Sequence, residues 1–260
     1  MMNIRFLGTG TSYGVPVLAC SCPVCTSQSP RNKRLRCSVA VRYDDRTILI
    51  DTPPDLRTQL LNNNISRINA ILFTHYHADH ILGLDDVRII NQIQKAPIPC
   101  YALPHTIDTI RSIFGYAFDP STPVGGGLPK LTLHTIEGSI DGKFEMFDKQ
   151  ITPVPIMHGT LPITGFKWDS FAYITDCSFM PQESVAVLKN IPVLVINGLR
   201  YRPHSTHYSI GEALEIIGQI NPGQAYITHI SHDIDYHDVK IDLPDNVHIA
   251  YDGLELEISG

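Results

Sequence analysis

The sequence predicts an α/β fold, and three observations carry that prediction. Short apolar runs such as Ala70-Ile71-Leu72-Phe73 are bounded by polar turn residues, the pattern of buried strands. Stretches such as Leu56–Leu61, Pro104–Phe114 and Ile210–Ile220 separate such runs and read as helices. The strand-like runs repeatedly close on a histidine or an aspartate, and strand ends in α/β sheets are where ligand sites collect.

Composition narrows the class. The 260 residues are expected to form one domain, 1–260, because no linker of boundary length and no internal repeat is visible. Hydrophobic residues at 43% and charged residues at 18% describe a globular protein with a substantial core. A formal net charge of −6 argues against a long nucleic-acid footprint and leaves small nucleotides as the only nucleic-acid-like partners. No run approaches the ~18 apolar residues of a membrane span, and Met1–Gly10 has no signal-peptide apolar region. The expected setting is cytoplasmic, with no membrane partner. There the cysteines are thiols or metal ligands rather than disulfides.

Ile4–Leu7 reads as a first strand running into Gly8-Thr9-Gly10-Thr11-Ser12. This turn lacks the lysine of a P-loop and the spacing of a dinucleotide fingerprint, so its glycines are expected to let the backbone pass close to the floor of a site. Cys20, Cys22 and Cys25 surround Pro23 and match a small knuckle at 20–25 holding one structural Zn²⁺. Its fourth ligand must come from elsewhere, because Cys37 enters the strand Ser38–Tyr43. The basic run Arg31–Arg36 reads as a solvated loop, with a grip on an anionic substrate as the alternative. Strand Thr47–Ile50 then ends at Asp51.

The chemistry concentrates in His75-Tyr76-His77-Ala78-Asp79-His80. His75 and His77 lie on one side of an extended backbone and can share an ion. Asp79 and His80 point the other way, as the chain turns into a helix over Ile81–Ile90, and can bind a second. This donor set suits Zn²⁺, and also Mn²⁺ or Fe. His-x-His-x-Asp-His after an apolar strand resembles the signature of the metallo-β-lactamase-fold hydrolases. The resemblance implies a four-layer αββα sandwich, a two-metal site, and Asp51 as the residue that orients the histidine turn.

Three later strand ends carry a donor: His158 after Ile151–Met157, Asp176 after the hairpin Gly165–Thr175, and His229 after Ala225–Thr228. In that order they resemble the family's third histidine, its bridging aspartate and its last histidine. Three residues on, His232 can face the cysteines while His229 faces the metals, giving a Cys₃His site of Cys20, Cys22, Cys25 and His232. That pairing resembles the cyclic phosphodiesterase branch associated with phosphonate breakdown. The resemblance implies His207 as the general acid, with His204 as its competitor. Ser209 and Glu212 read as a capping box that fixes helix Ile210–Ile220 just behind it. The middle segment Ile98–Gly127 is expected to line the pocket, with the loop Asp119–Pro129 bordering the site; Tyr116, Phe118 and His105 read as core.

A division of labour follows from the resemblance. His75, His77 and His158 hold one ion, Asp79, His80 and His229 hold the other, and Asp176 bridges them. Two divalent cations, Zn or Mn, about 3.5–4 Å apart share a hydroxide that attacks phosphorus, so Asp79 and Asp176 serve catalysis as well as binding. His207 gives its proton to the leaving oxygen. The expected function is a dinuclear metal-dependent phosphodiesterase acting on small cyclic phosphates or nucleotide phosphodiesters. A thioester or lactone hydrolase, a tRNA 3′-processing endonuclease and a non-catalytic zinc-binding scaffold are the alternatives, and a homodimer fits the family.

Overall fold

The computed structural model describes residues 1–123 and 125–258, so Val124 of the Asp119–Pro129 loop lies outside the described residues. Two seven-stranded mixed sheets form its centre. The first contains β1 (Met2–Gly8), β2 (Ser38–Tyr43), β3 (Arg46–Ile50), β4 (Ala70–Leu72), β5 (Ile98–Ala102) and β6 (Leu131–Thr135), side by side in that order. The second contains β7 (Phe144–Met146), β8 (Lys149–His158), β9 (Leu161–Lys167), β10 (Phe171–Ile174), β11 (Val193–Asn197), β12 (Gln224–Thr228) and β13 (Val247–Ile249), again in order. The last strand, β14 (Glu255–Ile258), returns to pair with β1.

Period-two alternation explains the layering. In β3, Ile48 and Ile50 enter a cluster between the sheets, where they join Phe6, Leu72, Phe166 and Trp168, while Leu49 points out to the first helical layer. In β10, Phe171 and Tyr173 face the central cluster, while Ala172 and Ile174 face the other helical layer. Strands buried on both faces read as continuous apolar runs, which is why Ala70–Phe73 shows no alternation of polarity. Helices α2 (Leu56–Asn62), α4 (Val87–Gln94) and α5 (Pro104–Ile113) cover one outer face. Helices α6 (Gln182–Val187) and α7 (Ile210–Ile220) cover the other, with the short α1 (Pro23–Thr26) in the cysteine knuckle. The result is the expected four-layer αββα sandwich. No described helix is long and apolar enough to cross a membrane.

One expected element is built differently. The single helix over Ile81–Ile90 is broken into α3 (Ala78–Ile81), a 3₁₀ turn at Leu84–Asp86 and α4. Gly83 explains the break: its amide donates to the Thr52 carbonyl, and a Cβ there would meet the Pro53 carbonyl oxygen at 2.0 Å. Close packing of the histidine turn against the loop after Asp51 therefore outweighs helical periodicity. Tyr116 also departs from expectation. It is 38% exposed and donates its hydroxyl to Asp85 rather than sitting in the core.

Candidate metal centre

The histidines and aspartates converge because they follow strands whose ends share one edge of the sandwich. Asp51 follows β3, His75 follows β4, Asp176 follows β10 and His229 follows β12, while His158 closes β8. Asp51, Asp176 and His229 all adopt left-handed backbone, with φ of 64°, 56° and 56°. Such conformations are strained for non-glycine residues and gather at functional sites. Here each lets a strand stop abruptly and aim its last side chain inward.

Two donor groups result. His75, His77 and His158 form one, and Asp79, His80, Asp176 and His229 form the other, each with donor atoms mutually within 4.8 Å. His158 and Asp176 also come this close to each other, together with His207, so Asp176 is the carboxylate that reaches both groups.

Hydrogen bonds fix which ring nitrogen faces the centre. Thr74 donates its hydroxyl and its amide to Asp51, each at 2.9 Å, so its oxygen is left to accept from His75 Nδ1 at 3.0 Å. His80 Nδ1 donates to Asp51 at 2.8 Å. His158 Nδ1 faces only acceptors, the carbonyls of Asp176 and Thr206 at 2.9 and 2.7 Å. In all three rings the proton is thereby placed on Nδ1, and the Nε2 lone pair is left to a ligand. Asp51, expected as the orienter, makes the contacts that role requires.

Burial sharpens the consequence. The Nε2 atoms of His75 and His80, and both ring nitrogens of His229, make no well-aligned hydrogen bond among the described residues, although carboxylate oxygens of Asp176 lie 3.3 and 3.1 Å from Nε2 of His80 and His229. Leaving a buried polar atom unsatisfied costs about 1–3 kcal/mol. Lone pairs of this kind, set beside two carboxylates, suit a divalent cation.

The electrostatics are consistent with a site built for positive charge. Burial lowers the affinity of His80 for a proton, but Asp176, Asp79 and Asp51 outweigh it and raise the group well above the usual range. His229 is likewise pushed up to about 9 against burial, chiefly by Asp176, whose oxygen lies 3.1 Å from Nε2. Burial opposes ionisation of Asp176 and Asp79, yet their imidazole neighbours hold both below the usual carboxylate range.

His207 differs from the three oriented ligand candidates. Its Nε2 lies 2.9 Å from Asp176 Oδ1, so the proton is on Nε2, while Nδ1 accepts from the Thr206 hydroxyl at 2.9 Å. The ring therefore presents a proton to the centre, where the others present a lone pair. Burial, partly offset by Asp176, pushes its titration down to about 4. His204 stands further out, its Nδ1 3.3 Å from that of His207. The capping box is present: Ser209 accepts from the Glu212 amide and donates its own amide back to the Glu212 carboxylate. It anchors α7 directly after His207.

The second cluster is the cysteine knuckle. Sγ of Cys20, Cys22 and Cys25 lie 3.2, 3.5 and 3.5 Å from His232 Nδ1. Burial raises the Cys22 thiol, but hydrogen bonds from the Cys25 amide and from Cys20, Cys25 and His232 bring it down to about 7, close to thiolate at neutral pH. Three sulfurs meeting one imidazole, with all the cysteines free, fit a tetrahedral Zn²⁺.

Two other expectations are corrected here, and a third is extended. The run Arg31–Arg36 is neither solvated nor aimed at a substrate: Arg34 is 1% exposed and donates to the carbonyls of Ser231 and Ile234. Arg36 pairs with Asp55, and Arg31 stacks over Tyr251. The Gly8–Ser12 turn makes two close approaches. A Cβ on Gly8 would meet the Arg36 carbonyl at 2.1 Å. On its other side the backbone pairs with Ile230, the neighbour of His229: the Ile230 amide donates to the Thr9 carbonyl at 2.8 Å, and the Thr11 amide to the Ile230 carbonyl at 3.3 Å. This is the expected pass close to the site floor. The segment Ile98–Gly127 does not line the cavity beside His207, which is walled instead by residues 11–13, 17, 199, 200, 202, 204 and 231–233. That cavity was missed because its residues come from three separate loops.

Comparison with known proteins defines the class. A family model described as the beta-lactamase superfamily domain matches residues 46–230, and the chain belongs to that superfamily. It is similar to a solved structure described as a new diphosphatase from the PhnP family, with 38% identity and a TM-score of 0.91 over all of this chain and 98% of the other. An octanoyltransferase from Porphyromonas gingivalis is 39% identical over 257 residues, 98% of this chain and 51% of that protein. The chain thus spans about half the length of that relative. A ribonuclease Z from Methanococcus maripaludis is 29% identical over 121 residues, 45% of this chain and 34% of that protein. The family resemblance of the histidine motif is borne out.

Proposed function

We propose that the chain is a metal-dependent phosphodiesterase acting on small cyclic phosphates or nucleotide phosphodiesters. One observation carries the reading: two groups of imidazole and carboxylate donors share Asp176, and a histidine carrying a proton on Nε2 stands against that same carboxylate. In this reading His75, His77 and His158 hold one cation, Asp79, His80 and His229 hold the other, and Asp176 serves both. Two Zn²⁺ or Mn²⁺ ions held there would neutralise charge on the phosphoryl oxygens and lower the pKa of water. Cys20, Cys22, Cys25 and His232 hold a separate structural Zn²⁺.

The chain's own residues account for orientation and proton transfer. Asp51 and Thr74 lock His75 and His80, so the donor atoms cost little reorganisation when a phosphoryl group arrives. His207 moves its Nε2 proton to the departing oxygen. That step needs an imidazolium, which burial opposes; an anionic phosphoryl group beside the ring raises its proton affinity. The PhnP-family likeness supports phosphorus chemistry. We take the substrate to be a small diester met in the cytoplasm.

A second reading, acyl or thioester chemistry, is favoured by the octanoyltransferase relative. The cavity beside His207 is mixed, with Arg200, Arg202 and His204 alongside Tyr13, Val17 and Leu199, so its lining favours neither reading and the substrate comparison decides. The deciding experiment strips the protein of metal, reloads it with Mn²⁺ or Zn²⁺, and compares bis(p-nitrophenyl) phosphate, p-nitrophenyl phosphate and a simple thioester. Metal-dependent cleavage of the diester with little of the monoester supports the proposal; turnover of the thioester alone overturns it.

A further inference from the structure

Asp176 keeps an unfavourable backbone, with φ of 56°, while its carboxylate reaches both donor groups and His207. Such a conformation persists only where the surroundings over-determine it. The restraint comes through the next residue. Strand β10 pairs with β11 as far as Ile174 and Ile196, and the left-handed turn then carries Cys177 out of the ladder. There Asn197, the last residue of β11, takes over with its side chain. Its Oδ1 accepts from the Cys177 amide at 2.7 Å, and its Nδ2 donates to the Cys177 carbonyl at 3.0 Å. One acceptor and one donor on a planar amide reproduce what a neighbouring peptide group would offer. Both residues are wholly buried. The same Cys177 carbonyl accepts from the Tyr208 amide at 2.7 Å, and Tyr208 directly follows His207. The Tyr208 carbonyl in turn accepts from the Leu199 amide, two residues beyond Asn197. Asn197 therefore sits at a knot with one arm leading to Asp176 and the other to His207, and the two arms meet again at 2.9 Å, between Asp176 Oδ1 and His207 Nε2.

We propose that Asn197 is a positioning residue for both Asp176 and His207. By gripping the Cys177 peptide it sets the carboxylate that both donor groups share, and it sets the proton-bearing imidazole against that carboxylate. Its side chain acts only through main-chain atoms. Without the grip the Cys177 amide is left buried and unpaired, and the turn relaxes toward an unstrained φ that swings the carboxylate away. The hydroxyl of Thr175, donating to Asp176 Oδ2 at 2.8 Å, steadies the carboxylate but does not hold the turn. The His207 half rests on the phosphodiesterase reading, whereas the Asp176 half requires only that the cluster binds cations.

Asn197→Leu keeps the shape of the side chain and removes both hydrogen bonds. Asn197→Ala is milder, because it leaves room for water at the Cys177 peptide. Val185→Ala, a truncation in α6 within the same hydrophobic cluster as Cys177, controls for a loss of stability alone. Titration with Mn²⁺, read from the electron paramagnetic resonance of the free ion, should show binding tenfold or more weaker in both Asn197 variants and unchanged in the control. At saturating Mn²⁺, kcat for 2′,3′-cyclic AMP, whose leaving oxygen needs a proton, should fall at least tenfold further than kcat for bis(p-nitrophenyl) phosphate, whose leaving group does not. In a His207→Ala background that extra loss should vanish. Parent-like Mn²⁺ affinity in both variants, or an equal loss in Val185→Ala, overturns the proposal, and parallel losses on the two substrates overturn its His207 half. If the parent protein cleaves neither diester, the phosphodiesterase reading itself fails, and the Mn²⁺ titration still decides whether Asn197 holds Asp176.

Discussion

The cysteine knuckle and the histidine–aspartate cluster stand at the two ends of one peptide, His229–His232, and are built for different tasks. The knuckle offers three sulfurs and one nitrogen, a complete tetrahedral set with no position left for a substrate. The other cluster offers imidazoles and carboxylates in two groups, with a proton-bearing histidine and an open cavity beside it. The scaffolding differs as well. The knuckle is held from below by one buried guanidinium, Arg34, bound to the carbonyls of Ser231 and Ile234. The cluster is held by strained strand ends and by Asp51. Donor softness and spare coordination are the differences on which the proposed structural role of the knuckle and the proposed chemical role of the cluster rest.

Five variants would break or sharpen this contrast. Asp176→Asn removes the one carboxylate shared by both donor groups; kcat/KM for bis(p-nitrophenyl) phosphate should fall about a thousandfold, with metal content reduced by atomic emission and circular dichroism unchanged. His207→Ala should lower kcat by a hundredfold or more on a diester with a poor leaving group, at full metal content. Loss of a metal along with the activity would make His207 a ligand and erase the distinction drawn from its tautomer.

Asp51→Asn leaves a buried position of similar shape but cannot accept every hydrogen bond that Thr74 and His80 direct at it. Metal affinity, read by competition with a chelator, should drop about ten- to a hundredfold. Cys22→Ser acts on the other site: one zinc equivalent should be lost, stability should fall by ~2 kcal/mol, and Tm by about 4–8 °C. Turnover per folded molecule should change only several-fold; a collapse of activity at retained fold would mean that the peptide 229–232 couples the sites. The smallest effect is expected from Ser209→Ala, which removes the cap of α7 at a cost of ~1 kcal/mol, seen as about 2–4 °C in Tm.

Much of the candidate centre was legible because its signals are local. A histidine or aspartate directly after a buried strand needs only the strand to be recognised, and four such ends recur in a fixed order. The capping box behind His207 is equally local, since Ser209 and Glu212 are one helical turn apart. The basic run Arg31–Arg36 misled for the opposite reason. Its partners Ser231, Ile234, Asp252 and Asp55 are distant in sequence, and a row of arginines looks solvated until those carbonyls and carboxylates are brought to it. Gly83 shows the same limit within a helix, where a close approach to Pro53 overrode the periodicity.

The amino-acid order therefore determined the buried strands, the candidate donors that close them and the cap behind His207, because burial, donor chemistry and capping are set by neighbours along the chain. The four-layer sandwich and the grouping of the donors were implied by the resemblance of the histidine motif. Only the tertiary structure decided which nitrogen of each histidine faces the centre, where Arg34 is buried, and that loops from three parts of the chain enclose a cavity beside His207. Those outcomes depend on which carbonyl or carboxylate arrives from a distant strand, and a proton or a guanidinium settles wherever that partner is placed.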